Sequence, residues 1–396
     1  MEDNLNLSNE EVEQITLEEA EAEEGLSIQR YAFNSFRIER SVRDILNWVK
    51  KGKIIIPKFQ RDFVWNYNQS CKLVESILLG LPIPDFFMFR LIDNEEKTEK
   101  YILIDGLQRY TTINQYVSGE YIQGDMKKIF KINDKSSQWY SKTYEELEEE
   151  DKDFFQDYSL KINVFDSIET SEQIQKLYMT SIFERINTGS SKLSGQEVRN
   201  AIYDGPVVTA LRHDAKNEYF LSLLQDDRKK YLQRSKNEEF YLRILSYNHV
   251  YNQIMKSSCL YIDDSQESKL TSSKELMLCN YLFYSNKGKI DYFCMRDVLN
   301  NKLKQIFEFN PTAFCTIKRE SEEVSNKVHE TFSEALVIAM INGVDINISK
   351  EKFDELKIKI WKNPDTYSEF FVTTTALKNI QKRVETVSQL LMGELK

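Results

Sequence analysis

Apolar positions in the first half of the chain alternate between helical stripes and short β-rich runs. The stripe that follows Ser41 predicts a capped helix, and a second stripe predicts a helix over about residues 69–79 that ends at Gly80. Short runs rich in β-branched and aromatic residues predict strands at residues 53–57, 86–91, 101–104 and 160–165. This alternation predicts a small mixed domain.

From Pro206 onward the apolar positions keep the spacing of helices, and we predict no strand there. Phe240, Ile244 and Tyr247, for example, lie on one helical stripe. The fold class predicted is therefore α+β, with a mixed domain over residues 28–205 and a bundle of about six or seven helices over residues 206–396.

Composition supports a helical protein, because the chain has only 12 Gly and 6 Pro among 396 residues. This excludes a β-sandwich, a collagen-like fibre and a wholly disordered protein. The net charge of −10 comes from the start of the chain, where residues 1–25 contain ten acidic residues and no Lys or Arg. We predict an acidic tail over residues 1–27. The rest is neutral, so charge neither requires nor excludes a nucleic-acid partner.

The same features predict a cytoplasmic protein without a membrane partner. An acidic start is unlike a signal or transit peptide, and the longest apolar run, residues 335–341, is too short to span a bilayer. Five scattered cysteines without a CxxC pair favour reduced thiols and give no zinc pattern.

The first candidate site segment is Ile56-Pro-Lys-Phe-Gln-Arg-Asp-Phe-Val-Trp65. Gln60 and Arg61 at a strand end could hold an anion, since a guanidinium presents a planar fork of donors, and Phe59 and Trp65 could stack a base. In the alternative interpretation, Arg61 pairs with a carboxylate and the aromatic side chains are core.

The second segment, residues 104–112, predicts a strand, a tight turn at Gly106 and a helix start. Such a start offers free N–H groups and positive potential to a phosphate, with Gln108 and Arg109 in the first turn. Asp105 could orient a metal or a water. Simple helix capping by Asp105, with Arg109 on the surface, explains the pattern equally well.

The third segment, residues 183–189, reads Phe-Glu-Arg-Ile-Asn-Thr-Gly. If it is a helix end, Glu184 and Asn187 share one face, and a carboxylate with an amide oxygen suits Mg²⁺. The alternative is a helix C-cap without further role. The sequence has no P-loop and no GxGxxG, HExxH, GxSxG or HNH-like pattern, so we do not expect a nuclease site in this chain.

Together these segments resemble the N-terminal domain family of GmrSD-type restriction systems, which carries a DGQQR motif and is similar to the ParB/sulfiredoxin-like fold. Four ordered matches support the resemblance: IPKFQRDFVW, SILLGLPIP, DGLQRYTTI and FERINTGSSKLSGQE. Many relatives end in an HNH nuclease domain, whereas this chain resembles a stand-alone sensor or NTPase subunit. Leu107 replaces a Gln of the family motif; the change alters the site if that Gln contacts nucleotide, and changes nothing if it faces the core.

The resemblance implies a role for individual residues. Catalytic roles fall on Asp105, Gln108 and Arg109, and Mg²⁺ ligation on Glu184 and Asn187. The remaining nucleotide contacts are implied for a larger set: Phe59, Gln60, Arg61, Trp65, Gly106, Thr111, Thr112 and Arg185.

Two functions stay open from the sequence. One is a nucleotide-binding component of bacterial anti-phage or restriction defence that hydrolyses GTP, ATP or CTP with Mg²⁺ and thereby controls engagement of DNA or of a partner nuclease encoded by a neighbouring gene. The other is a non-catalytic DNA- or protein-binding scaffold with a degenerate site, and either could form a homo-oligomer. Candidate DNA contacts are Arg228, Lys229, Lys230, Arg234 and Lys236, and the pair Lys382-Arg383; a solvated surface is the alternative for each.

Overall fold

The structure is a computed structural model. It describes residues 33–56, 63–93, 98–167, 171–186, 194–256, 274–318, 321, 323–371 and 377–395. The described residues form two compact units that divide between Ile202 and Tyr203. The tail predicted over residues 1–27 lies outside the described residues.

The N-terminal unit is built on a five-stranded mixed sheet with the strand order β1-β7-β3-β4-β2. Its elements in chain order are β1 (Phe33–Ser41), α1 (Val42–Lys50), β2 (Ile54–Ile55), α2 (Tyr67–Leu78), β3 (Phe86–Asp93), β4 (Thr98–Asp105), α3 (Leu107–Ser118), β5 (Glu120–Gln123), β6 (Met126–Ile129), α4 (Glu149–Asp157), β7 (Ser159–Ser167), α5 (Glu172–Ile186) and α6 (Gly195–Ile202). β1 and β7 are antiparallel, as are β3 and β4, whereas β3–β7 and β2–β4 are parallel.

Both faces of the central strands are buried. On one face Phe86, Met88 and Leu103 belong to a core that also includes residues of α1, α2 and α3. On β4 the alternating residues Ile102 and Ile104 are buried as well, and α5 contacts this strand. A strand buried on both faces shows a continuous apolar run instead of alternation, as the sequence Tyr-Ile-Leu-Ile of β4 does.

The C-terminal unit is mainly helical. Its elements in chain order are α7 (Pro206–Asp214), α8 (Glu218–Leu223), α9 (Arg228–Leu232), α10 (Lys236–Lys256), α11 (Lys274–Asn286), α12 (Tyr292–Phe309), β8 (Cys315–Ile317), β9 (Val324–Val328), α13 (Glu330–Ile341), α14 (Lys350–Lys362) and α15 (Leu377–Met392). The α+β class is confirmed. The prediction of no strand after Pro206 is wrong, because β8 and β9 pair as a short antiparallel hairpin.

Helix α13 is the centre of this unit. Ten consecutive residues from Thr331 to Met340 are buried, and α10, α12 and α15 contact it. A helix that is buried on every side needs apolar residues all round, which explains the apolar run that was too short for a membrane span. No helix in the described part of the chain is long and apolar enough to cross a bilayer.

A buried ion cluster joins α13 to α10. Arg243 forms ion pairs with Glu330 and with Glu334, whose side chain is only 1% exposed. Burial raises the pKa of Glu334. Loss of one partner from such a cluster would leave an uncompensated buried charge and would destabilise the contact between the two helices.

His329 begins α13 and lies in an aromatic pocket. Its Nδ1 accepts a hydrogen bond from the Phe332 N–H at 3.4 Å, and its ring centroid lies 4.8 Å from that of Trp361. Burial lowers the pKa of His329 to about 3, and the cations of Lys357 and Arg383 act in the same direction.

This arrangement makes the stability of the C-terminal unit depend on pH. Between about pH 6.5 and pH 3 the unfolded chain binds a proton at His329 that the folded chain does not, so stability falls as the pH is lowered through this window. His329→Asn keeps a capping side chain but removes the titrating group. We expect the free energy of unfolding of this variant to lose a pH dependence of up to about 1.4 kcal/mol per pH unit. Urea denaturation from pH 4.5 to pH 7.5, followed by circular dichroism, measures it.

The matched control is His213→Asn, since the side chain of His213 is 92% exposed. Equal acid sensitivity of the wild type and of His329→Asn would contradict the assignment.

Candidate active site at the β4–α3 turn

The strand-turn-helix element that the sequence predicts is present, and Gly106 makes it possible. Gly106 adopts φ 114° between β4 and α3, and a Cβ built on it would lie 2.4 Å from Cδ1 of Phe86. No side chain caps the first turn of α3. The helix start therefore keeps the backbone N–H groups and positive potential that suit an anion.

Arg109 is held at this turn by three contacts. Its Nη2 donates to Oδ2 of Asp105 at 2.9 Å and to the backbone oxygen of Asp85 at 3.1 Å. Its guanidinium carbon lies 5.3 Å from the ring centroid of Phe86. The Arg109 side chain is 11% exposed and that of Asp105 is 42% exposed, so solvent reaches the carboxylate more than the guanidinium. The simple-capping alternative, with Arg109 on the surface, is wrong.

A row of paired residues crosses the sheet at this edge. Arg37 pairs with Asn163 and Asn163 with Phe87, so these three side chains project to one face. Phe87 also pairs with Asp105, next to a register irregularity in the β3–β4 ladder between Phe87 and Met88. The carboxylate of Asp85 accepts from Nδ2 of Asn163 at 3.0 Å and from Arg37.

We call Arg37, Asp85, Asp105, Arg109 and Asn163 the edge site. It contains two carboxylates and two guanidinium groups, so its charges balance. Arg37 is 51% exposed, which leaves one cation of the edge site at the surface. The described residues contain no group of three or more His, Cys, Asp or Glu side chains that could hold a metal ion.

Gln108 connects this turn to the first sequence segment. Its Oε1 accepts from the backbone N–H of Val64 at 3.0 Å and of Trp65 at 3.2 Å. The hydroxyl of Tyr121 donates to the Trp65 carbonyl at 2.8 Å, and Nε2 of Gln123 donates to the Val64 carbonyl at 3.3 Å. The segment that follows Arg61 is thereby fixed to the start of α3. Phe59, Gln60 and Arg61 lie outside the described residues.

Other predicted residues of α3 lie deeper. Leu107 is half-buried and packs against the core. This agrees with the alternative in which the position of the family Gln faces the core. Thr111 is half-buried, whereas Thr112 is fully buried and its hydroxyl has no hydrogen-bond partner among the described residues. Trp65 is half-buried against the same core.

The third segment is described only in part. Glu184 and Arg185 lie in the last turn of α5, and Arg185 is exposed. Asn187 and the side chain of Glu184 fall outside the described residues, so their predicted ligation of Mg²⁺ stays a prediction. Ser194 and Glu197 form the capping box that the sequence predicts for α6.

Sequence reasoning missed three residues of the edge site: Arg37, Asp85 and Asn163. Asp85 directly follows the Pro-Ile-Pro of the second motif and precedes β3, so a polar residue at a strand start was the available signal. The contribution of Arg37 and Asn163 depends on strand register, which no local pattern contains.

Residues 42–203 match the profile of the GmrSD restriction endonuclease, N-terminal domain. This segment belongs to the GmrSD N-terminal domain family. The matched range covers under half of the chain but includes all four motifs and the Asp85, Asp105, Arg109 and Asn163 positions of the edge site. No curated protein matches the chain. A GmrSD N-terminal domain indicates a role in a restriction or defence system.

Because the turn depends on a residue without a Cβ, Gly106→Ala should destabilise the N-terminal unit by about 2–5 kcal/mol through backbone strain and overpacking against Phe86. Urea denaturation followed by tryptophan fluorescence measures this, since Trp48, Trp65 and Trp139 all lie in this unit.

Gly119→Ala is the matched control. Gly119 also has a positive φ, 77°, but a Cβ there would meet nothing within 4 Å. We expect that variant to cost only about 1 kcal/mol. Equal losses in the two variants would show that contact with Phe86 is unimportant.

Proposed function

We propose that the chain is a nucleotide-binding component of a restriction or defence system that hydrolyses a nucleoside triphosphate at the β4–α3 turn. The observation that supports this most directly is the uncapped start of α3 beside Arg109 and the exposed carboxylate of Asp105. Nucleotide state would then control engagement of DNA or of a partner nuclease. This proposal combines the family of residues 42–203 with the local chemistry.

Arg109 has donors to spare for a phosphate. Only its Nη2 is hydrogen-bonded, and Nε is buried without a partner among the described residues. A buried donor without an acceptor costs about 1–3 kcal/mol. Because Nε is buried and Nη2 is occupied, Nη1 is the nitrogen that would donate to a phosphate. The ion pair with Asp105 and the stacking on Phe86 hold the guanidinium in place, so little ordering remains for ligand binding.

The residues present fit a magnesium ion of the kind that accompanies nucleotides. Mg²⁺ commonly keeps several waters and takes one or two carboxylates together with phosphate oxygens. Asp105 offers such a carboxylate, because only its Oδ2 is hydrogen-bonded within the described chain and its side chain is 42% exposed. When bound, the ion would neutralise phosphate charge. Arg109 would stabilise charge that develops on the phosphoryl group.

In this proposal Gln108 is a positioning residue. Both hydrogen bonds of its amide oxygen go to the backbone at Val64 and Trp65, and none goes to the open side of the turn. Arg61 is three residues from Val64 along the chain. Gln108 therefore anchors the backbone at Val64 and Trp65 to the start of α3.

We expect Arg109→Ala to reduce hydrolysis of GTP, ATP or CTP by at least about 100-fold, because it removes the charged donor at the phosphoryl group. Phosphate release in the presence of Mg²⁺ measures the rate, and circular dichroism tests whether the fold is retained. The control is Arg43→Ala, which removes a half-exposed arginine that pairs with Asp153 and Asp157. A folded Arg109→Ala protein with unchanged hydrolysis would refute the assignment.

Two substitutions at Gln108 separate positioning from catalysis. Glu retains an acceptor for the two N–H groups, whereas Met of similar length removes it. We expect Gln108→Glu to keep most of the nucleotide affinity and Gln108→Met to lose about tenfold or more, with faster amide hydrogen exchange at Val64 and Trp65 only in the Met variant. Equal loss of turnover in both variants, with exchange unchanged, would instead assign Gln108 to the reaction.

The second candidate function is a non-catalytic scaffold. It is favoured by the internal bonding of the motif, since Gln108 holds the chain and Arg109 pairs with Asp105. Thermal unfolding with and without Mg²⁺ and each nucleotide separates the two functions, because a ligand that binds only the folded state raises its stability by RT ln(1 + [L]/Kd). A scaffold would show no shift.

A further inference from the structure

The C-terminal unit presents a surface that the nucleotide site does not use. We propose that Arg228, Lys229, Lys230, Arg234 and Lys236, here called the basic turn, bind the phosphate backbone of duplex DNA. This inference rests on the proposed function, which offers DNA as one of two partners, and it adds the location of the DNA contact. All five side chains are exposed, at and just after the short helix α9.

Four of the five cations are not neutralised by an ion pair in the part of the protein that the structure describes. Arg228, Lys229, Lys230 and Lys236 form no ion pair within the described chain. Outside the first 25 residues the chain has as many acids as bases, so five cations within nine residues are a local excess rather than a general property.

The acidic neighbours on both sides are turned to other partners. Asp226 accepts from Nδ2 of Asn326 at 2.9 Å, and Asp227 accepts from the backbone N–H of Val328 at 2.9 Å. After the turn, Glu238 is buried.

Glu239, the next acidic residue, pairs with Lys274 at 3.0 Å. The exposed residues from Arg228 to Lys236 therefore include five cations and no acidic side chain, although Asp226 just before them is exposed as well.

The basic turn is also rigid. Tyr231 is buried between the cations, its hydroxyl hydrogen-bonds to Glu330, and its ring centroid lies 5.7 Å from that of Phe240. Four described non-glycine residues have positive φ, and three of them flank α9: Gln225, Arg234 and Ser235. Each such conformation costs about 1–3 kcal/mol, and backbone strain of this kind is concentrated at functional sites.

Charge complementarity selects the partner. Duplex DNA has one negative charge per about 1.7 Å of helix axis, and each phosphate neutralised by a Lys or Arg contributes about −0.9 to the slope of log K against log salt. Five exposed cations within nine residues, without an acidic side chain among residues 228–236, suit this uniform polyanion. The Lys382-Arg383 alternative is wrong, because Arg383 is buried and donates to the Glu369 carbonyl.

The test compares the full chain with Arg228→Gln/Lys229→Gln/Lys230→Gln, using fluorescence anisotropy of a labelled 30-base-pair duplex at several salt concentrations. We expect the variant to lose at least about tenfold in affinity at 100 mM salt, and its salt slope to become less steep by about 2 to 3. The matched control, Lys216→Gln/Lys287→Gln/Lys289→Gln, removes three exposed cations of the same unit and should stay within about threefold of the wild type.

Equal loss in the variant and the control would reveal a general charge effect and overturn the proposal, as would tighter binding of single-stranded RNA than of duplex DNA. The thermal response to Mg²⁺ and nucleotide, measured on the same proteins, keeps the two proposals apart. If the variant loses DNA binding but keeps the thermal response to Mg²⁺ and nucleotide, the assignment of DNA binding to the basic turn is supported. If the wild type binds DNA through the basic turn without any nucleotide response, only the nucleotide site fails.

Discussion

The single residue between β4 and α3 sets the geometry of the whole edge. Because Gly106 adopts φ 114° against the ring of Phe86, the strand passes into the helix without a loop. Asp105 and Arg109 then lie on either side of the turn and can pair. Phe86 also belongs to the core of the N-terminal unit, so any change that moves its ring alters packing and site together.

Elements with a local signal were predictable, and those that depend on distant pairing were not. A side-chain cap identifies α1, apolar runs identify β3 and β4, and alternating apolar residues identify β7; the structure contains all four. β1 was missed because its sequence Phe-Asn-Ser-Phe-Arg-Ile-Glu-Arg-Ser is largely polar. It becomes a strand by pairing with β7, which lies 118 to 134 residues further along the chain. β8 has only three residues and an irregular register with β9, so its apolar pattern is too short to detect.

The candidate site shows the same division. Residue type and spacing placed Asp105 and Arg109 at one turn, because a strand end and the first turn of the next helix are close by construction. They could not show that Gln108 accepts hydrogen bonds from backbone N–H groups more than 40 residues earlier. Nor could they show that the Asp85 carboxylate accepts hydrogen bonds from Arg37 and Asn163, which lie on two other strands. A sequence motif identifies the residues of the site, whereas strand register and tertiary packing decide which of their hydrogen-bonding atoms are already occupied.

Which side-chain atoms remain free to bind a ligand decides between the enzyme and the scaffold hypotheses at this turn. Gln108 has its amide oxygen occupied twice, so its substitution acts first on the chain segment that it holds. Arg109 differs, since its pairing with Asp105 and with the Asp85 carbonyl uses Nη2 alone. In the proposed function Nη1 would donate to a phosphate while Nη2 keeps its internal partners. The structural role of Arg109 and its proposed chemical role are therefore compatible in one conformation.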